Sequence, residues 1–308
     1  MPRRGLEPPW VSPLAPKASA STISPSRQDT RVFYHSNRYN IPMQLTLKET
    51  KNSTAYVAAV LTETEVISEK ERAVDELIST ITVKGFRQGK APKSIARDHI
   101  DPDKLSDHIL SHVLNNVVSE TLKENKFKLL GRPVLENIDS KSKNGWTIKL
   151  SLPLFPEIKV DNYRKLFSKT KSIDKKIETE ETKIEKIYKT LLDNFKVEIP
   201  QSVIEEETNY SLERLETQAK TLNLTIENYL KAVKKTLEQI KMEYSKKAEE
   251  SIKLDLILLE IAKTEKIDTA IEEIKEVAKA GGVSETQLGQ LKSIMNRRKT
   301  IELLLKLC

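Results

Sequence analysis

The 308-residue sequence lacks the features on which disulfide-stabilised, membrane-spanning and β-rich proteins depend. Its single cysteine, Cys308, excludes a disulfide framework and a cysteine-ligated zinc site, and it fits a reducing compartment. No run of 18 apolar residues occurs, so no transmembrane helix is predicted. Aromatic residues make up only 5% of the chain, against 38% hydrophobic and 31% charged residues. This composition indicates a helix-rich soluble protein with real cores but few large anchoring side chains.

The net charge of +7 is concentrated at one end of the chain. Residues 1–42 hold six basic and two acidic residues, whereas the rest of the chain has a net charge of only +3. The basic balance is therefore largely an N-terminal effect, and it is only a weak indication of nucleic-acid binding.

Residues 1–42 are predicted to be a disordered extension. They hold seven of the thirteen prolines, many serines, and no helical or strand periodicity. One reading is an organelle transit peptide, because the segment is rich in Arg and Ser and poor in acids. The prolines count against the amphipathic helix that such peptides form. The other reading, which we favour, is that translation begins at Met43, where an alternating strand pattern starts, and that the extension is not translated.

Residues 43–157 are predicted to form a compact α+β domain, because strand patterns flank a helical stretch. The helical stretch is expected to open with a capping box at Ser68–Glu71, and Asp103 is expected to cap its longer helix. Pro92 fits the first turn of a short helix that ends by Ile100. The predicted strands are 44–50, 54–62, 133–139 and 146–155, with turns at Lys51–Ser53 and Lys143–Gly145.

The second half of the chain is predicted to be entirely helical. No glycine occurs between Trp146 and Ala280, and Pro200 is the one proline after Glu157. A β-rich domain needs such turn residues. We expect a linker over 158–179 and a helical domain over 180–308, whose charged helices with scattered apolar residues favour projecting arms over a coiled coil. The predicted start and stop signals are Thr179, Pro200, Thr225, Thr236, Ser284 and the pair Gly281–Gly282.

The loop from Lys84 to Pro92 is the most informative stretch of the sequence. Its two glycines allow a tight exposed turn that carries one aromatic residue and three cations. A phosphate-binding P-loop is rejected, because only three residues separate the glycines and Ala91 follows the lysine. An ordinary basic loop is the remaining alternative. An exposed Phe at such a tip is costly in water, so the loop is expected to insert into a partner.

This loop resembles the ribosome-docking signature of bacterial trigger factor. The run Gly85-Phe86-Arg87-x-Gly89-Lys90-x-Pro92 matches that signature at every fixed position. Residues 197–207 are similar to the opening of the family's C-terminal helical domain, and residues 254–267 are similar to its long arm helix. The resemblance covers about 43–308.

The resemblance implies a fold, an activity and a set of partners. The fold is an α+β N-terminal ribosome-binding domain followed by an extended all-α C-terminal domain with helical arms. The activity is that of a cytoplasmic, ATP-independent chaperone without a cofactor, which binds nascent polypeptides at the tunnel exit of the large ribosomal subunit and assists folding and export. Arg87 would pair with an acidic residue of a ribosomal protein, near rRNA, with Phe86 and Lys90 flanking it. A weak homodimer is left open, no membrane partner is implied, and the client-binding residues are not identified.

One departure from the family pattern is a missing domain. Family members usually carry a prolyl-isomerase domain between the N-terminal domain and the arms, but here no Gly-containing, β-rich insert exists in that position. The chain is therefore predicted not to be an enzyme, and no catalytic residue is assigned. Two alternatives stay open: an RNA-binding or ribosome-assembly factor that uses the basic loop, and a peptidyl-prolyl isomerase like the full-length family members.

His108 and His112 lie four residues apart and would share a helix face, as zinc ligands can. No Glu or third ligand is spaced in the sequence to join them. The pair is therefore interpreted as solvated or half-buried, and no metal site is predicted.

Overall fold

A computed structural model describes residues 44–139, 145–170, 179–222 and 224–307 of the chain. The predicted extension 1–42, the proposed start at Met43 and the turn residues 143–144 lie outside the described residues. The chain divides into two compact units, the first ending at Phe155 and the second beginning at Pro156.

The first unit contains a four-stranded antiparallel sheet. Its strands are β1 (Gln44–Lys51), β2 (Thr54–Leu61), β3 (Val134–Asp139) and β4 (Trp146–Pro153), in the spatial order β1-β2-β4-β3. Asn52 and Ser53 join the first two strands with positive φ angles of 48° and 54°. Two consecutive left-handed residues are the conformation that matches the twist of a two-residue hairpin, so the register of β1 against β2 is set locally.

Three helices complete the first unit: α1 (Glu63–Thr80), α2 (Lys93–Arg97) and α3 (Pro102–Asn125). The alternating residues Val57, Ala59 and Leu61 of β2 are buried in one core with Val113 and Val117 of α3. Every second residue of β2 thus faces the helix, so the sheet and the helix pack as two layers. The sequence predicts this α+β arrangement.

Two predicted helix starts in the first unit are wrong. Helix α1 begins at Glu63, with a capping box formed by Thr62 and Glu65 and not by Ser68, which lies inside the helix. Helix α3 is capped by the Asp101 side chain, which accepts a hydrogen bond from the Asp103 backbone N–H. In both places the sequence offers two capping residues within one or two turns, and the helix extends to the earlier one because each added residue gains a backbone hydrogen bond.

The second unit is built from helices. They are α4 (Tyr163–Thr170), α5 (Glu180–Asn194), α6 (Gln201–Thr221), α7 (Ile226–Val233), α8 (Leu237–Thr264), α9 (Ile271–Gly281) and α10 (Leu288–Leu307), with a 3₁₀ turn at Glu285–Gln287. The predicted caps at Thr179, Thr225 and Thr236 are confirmed, as is the left-handed stop at Gly282. Among the described residues, no helix is both long and apolar enough to cross a bilayer.

The core of the second unit includes part of the predicted linker. Tyr163 and Phe167 of α4 are buried with Ile187 of α5, Ile257 of α8 and Leu304 of α10. Residues 158–179 therefore do not act as a spacer throughout, because the helix Tyr163–Thr170 within them contributes to the core. The helix is only eight residues long. A pattern that short gives a weak periodicity signal in sequence.

A helical hairpin forms a second, smaller cluster in this unit. Leu215 near the end of α6, Tyr229 of α7 and Ile240 near the start of α8 are buried together. Because the end of α6 meets the start of α8, the two long helices run antiparallel with α7 between them. The fold class predicted from sequence, an α+β domain followed by an all-α domain, is confirmed.

Candidate functional site

The candidate site is the loop that connects α1 to α2. Backbone and side-chain hydrogen bonds close its base: the Gly89 N–H donates to the Ile81 carbonyl at 3.1 Å, and Gln88 Nε2 donates to the Thr80 carbonyl at 2.8 Å. Val83 is buried beneath the loop. The loop therefore has a fixed base on the C-terminal end of α1.

Two glycines give the loop its path. Gly85 and Gly89 have φ angles of 91° and 69°, in the region that only glycine enters without strain. At Gly89 a β-carbon would also lie 2.6 Å from the Ser79 carbonyl oxygen, which is closer than van der Waals contact allows. At Gly85 the same position is open. The second glycine is thus needed for both conformation and space, and the first for conformation alone.

Two successive tight turns raise the tip of the loop. The Phe86 N–H donates to the Val83 carbonyl at 3.0 Å, and the Lys90 N–H donates to the Arg87 carbonyl at 2.9 Å. The Phe86 side chain is 39% exposed, and Arg87 and Lys90 are exposed beside it. Within the described chain, neither cation has an acidic partner. Pro92 follows as the N-cap residue of α2, with φ of −55°.

The loop therefore brings all six predicted site residues together: Gly85, Phe86, Arg87, Gly89, Lys90 and Pro92. An apolar ring between two unpaired cations can dock on a surface that offers an apolar pocket and carboxylates or phosphates.

A second surface feature, which the sequence did not reveal, is a set of exposed apolar residues at the hairpin of the second unit. Leu222 and Leu224 follow α6, and Leu237 and Met242 lie in the first turns of α8; all four are exposed, Met242 by 75%. They flank the buried cluster of Leu215, Tyr229 and Ile240. Sequence periodicity distinguishes buried from exposed helix positions only when the exposed positions are polar. The exposure of these apolar residues therefore could not be predicted from the sequence.

A third feature is the surroundings of the histidine pair. Glu76 of α1 lies against His108 and His112 of α3, with its Oε2 atom 3.1 Å from the Nε2 atom of each imidazole. The interpretation of the two histidines as half-buried is confirmed, but the carboxylate beside them was not predicted. Glu76 is more than thirty residues away in sequence, and only the packing of α1 on α3 brings it there.

Comparisons with protein families match almost all of the described chain. The model of "Bacterial trigger factor protein (TF)" matches residues 43–191, and the model of "Bacterial trigger factor protein (TF) C-terminus" matches residues 159–306. The two matches overlap, so no residue lies between them.

Curated relatives are similar over part of their length. The trigger factor of Desulforapulum autotrophicum is 28% identical over 155 residues, which are 50% of this chain and 34% of the relative. The trigger factor of Carboxydothermus hydrogenoformans is 34% identical over 163 residues, which are 49% of this chain and 37% of the relative. The chain thus spans about a third of the length of these relatives.

A solved structure is similar over most of the chain. The structure described as "Promiscuous Substrate Recognition in Folding and Assembly Activities of the Trigger Factor Chaperone" aligns with a TM-score of 0.55. The alignment covers 86% of this chain and 99% of the solved one, at 14% sequence identity. This likeness concerns the fold.

Proposed function

Because the chain belongs to the trigger factor family, we propose that it is a cytoplasmic, ribosome-associated and ATP-independent chaperone that binds nascent polypeptides at the tunnel exit and assists their folding and export. The observation that carries the proposal is the loop between α1 and α2. Its glycines and its hydrogen-bonded base leave Phe86 partly exposed and Arg87 and Lys90 exposed, and neither cation has an acidic partner in the described chain.

The loop is proposed to dock on a ribosomal protein, with rRNA nearby. Arg87 would form an ion pair with a carboxylate, Phe86 would enter an apolar pocket, and Lys90 would add a second cationic contact. Docking would desolvate the Arg87 pair, and loss of one partner of a desolvated pair costs about 2–5 kcal/mol. An exposed pair contributes only about 0–1 kcal/mol. A few residues should therefore dominate so small an interface.

The second unit is proposed to hold the client. The exposed leucines and Met242 around the helical hairpin offer apolar contact that a folded client would no longer need. Methionine and leucine side chains adapt to many sequences. Each contact is weak, so the client is released when its own folding buries the same apolar segments, and no ATP is required.

The docking proposal is tested by ribosome co-sedimentation of the triple variant Phe86→Ala, Arg87→Ala, Lys90→Ala. We expect its affinity for ribosomes to fall at least about a hundredfold, or roughly 2.7 kcal/mol. Its thermal melt should stay within a few degrees of the wild type, because Arg87 and Lys90 are exposed and Phe86 is not part of the core cluster of the first unit.

The matched control is the triple variant Ile67→Ala, Lys70→Ala, Lys104→Ala. It also removes one exposed apolar side chain and two exposed cations from the first unit. We expect it to bind ribosomes like the wild type. An equal loss of ribosome affinity in both variants would show that the loop acts only as part of a nonspecific basic surface. That is the behaviour expected of an RNA-binding factor. Failure of the wild type to suppress aggregation of an unfolded client without ribosomes would also favour that alternative.

A further inference from the structure

The side chains of Glu76, His108 and His112 form a compact cluster on the first unit. Glu76 lies in the last turns of α1, and the two histidines stand one helical turn apart on α3. Their imidazole rings are 4.5 Å apart between centroids and are tilted by 45°. The three side chains are 54%, 32% and 28% exposed, so an ion could reach them from solvent.

The ligand atoms of this cluster converge on one point. Glu76 Oε2 lies 3.1 Å from both Nε2 atoms, and all three atoms lie within 4.8 Å of one another. A tetrahedral ion with metal–ligand bonds of about 2.0–2.2 Å holds its ligand atoms roughly 3.3–3.6 Å apart. The distances from Glu76 Oε2 to the two imidazole nitrogens are thus a few tenths of an ångström shorter than those of a coordinated set, and movement of the exposed side chains would bring the three atoms to it.

We propose that Glu76, His108 and His112 bind a divalent transition-metal ion of the zinc class. Two neutral imidazoles and one carboxylate suit Zn²⁺, Ni²⁺ or Cu²⁺, whereas Mg²⁺ and Ca²⁺ prefer oxygen ligands throughout. Water would fill the remaining coordination position on the exposed side. The three residues lie on two helices near the base of the docking loop, so the ion would be structural.

The ion would join the end of α1 to the middle of α3. Glu76 lies four residues before Thr80 and five before Ile81, whose carbonyl groups accept hydrogen bonds from Gln88 Nε2 and from the Gly89 N–H at the base of the docking loop. A bond from Glu76 to α3 would therefore hold in place the helix end from which the loop departs. The expected effect is a more stable first unit, because a ligand that binds only the folded state stabilises it by mass action.

Isothermal titration of the metal-free full chain with zinc chloride tests the site. We expect one zinc ion per chain at this site, and a weakening of about tenfold or more in each of His108→Ala and His112→Ala. Glu76→Gln keeps one amide oxygen but loses the charge, and should weaken binding less than the histidine variants. The controls are His99→Ala and His35→Ala, which remove the other two histidines and should leave the affinity unchanged.

Two further measurements keep the test independent of any variant's folding. In the wild type, zinc should protect His108 and His112, but not His99, from modification by diethyl pyrocarbonate, as read by mass spectrometry. Zinc at a hundredfold excess over its Kd should also raise the melting temperature of the first unit by about 10–15 °C. Equal modification of all three histidines with zinc, or binding that is lost equally in the His99 control, would overturn the proposal.

Discussion

Gly85 and Gly89 both have positive φ angles, but their substitution by alanine is expected to have unequal costs. Gly85→Ala meets open space, so it should cost about 1 kcal/mol for the left-handed conformation alone. Gly89→Ala places a β-carbon 2.6 Å from the Ser79 carbonyl oxygen, which cannot move without distorting α1. We expect a cost of about 2–4 kcal/mol there.

Urea unfolding measures the two glycine variants in the first unit. Trp146 of β4 is the reporter, in a Trp10→Phe background that leaves it as the one tryptophan of the chain. Equal free energies of unfolding for the two alanine variants would show that the close approach at Gly89 relaxes without cost.

A second residue-scale prediction concerns acid pH and the second unit. Glu265 follows α8 and accepts hydrogen bonds from the Tyr163 hydroxyl and from Arg164 Nε, the latter at 3.1 Å. The hydrogen bond from Tyr163, and then that from Arg164, lower the pKa of the Glu265 carboxyl below its usual 4.5. A lowered folded-state pKa stabilises the fold above the unfolded-state value, and this stabilisation is lost as the pH falls through the folded-state pKa.

The variant Glu265→Gln removes the ionisable group and keeps an acceptor oxygen. At neutral pH it should be less stable than the wild type in urea unfolding followed by circular dichroism. The difference between the two free energies of unfolding should shrink as the pH falls below 4.5 and through the lowered pKa. A difference that stays constant over that range would mean that the carboxylate does not contribute to stability through its charge.

At the scale of single elements, helix α1 could begin at either of two capping boxes that look equivalent in sequence, Thr62–Glu65 and Ser68–Glu71. The structure uses the first. The Thr62 hydroxyl accepts from the Glu65 N–H, and the Glu65 carboxylate accepts from the Thr62 N–H at 2.6 Å. Thr62→Ala should therefore cost about 0.5–2 kcal/mol. Ser68→Ala should stay within about 0.5 kcal/mol of the wild type or be slightly stabilising, because Ser68 is exposed inside the helix. Urea unfolding followed by Trp146 fluorescence measures the free energy of unfolding of both variants. A larger loss for Ser68→Ala than for Thr62→Ala would place the helix start at Ser68.

Local signals predicted most elements, since strands, caps and turns depend on residues close in sequence. The hairpin at Asn52–Ser53, the caps at Thr225 and Thr236 and the glycine stop at Gly282 are of this kind. Dependence on local signals also explains the wrong start predicted for α1, because Thr62 and Ser68 fit the capping-box pattern equally well. The helix begins at the earlier of the two, directly after β2 ends at Leu61.

The candidate site divides in the same way. The turn that brings the six loop residues together could be predicted, because they lie within eight positions and the two glycines indicate a tight turn, whereas their part in docking stays a prediction. The approach of Gly89 to Ser79 and the meeting of Glu76 with the histidine pair could not be predicted, because both depend on how α1 ends and on how it packs against α3. The core role of Phe167 was missed for a related reason: its partners Ile257 and Leu304 lie far along the chain.

At the scale of the whole molecule, the two units carry separate parts of the proposed activity. The docking loop belongs to the first unit, and the exposed apolar residues of the helical hairpin belong to the second. The two family matches overlap over residues 159–191, so the chain passes from one type of domain to the other without an intervening segment. We therefore expect the proposed chaperone activity to occur without prolyl isomerisation in this protein.

The corresponding prediction is that the chain suppresses aggregation without accelerating proline isomerisation. Uncatalysed isomerisation limits some refolding reactions to tens or hundreds of seconds, because the barrier of the X–Pro bond is about 20 kcal/mol. Lowering that barrier requires a site that grips the proline and its neighbours, whereas weak apolar contacts only delay collapse. In a proline-limited refolding assay, catalytic amounts of the protein should leave the slow rate unchanged, while equimolar amounts should keep a denatured client soluble. A rate that rises with substoichiometric protein would show that one of the two units carries isomerase activity of its own.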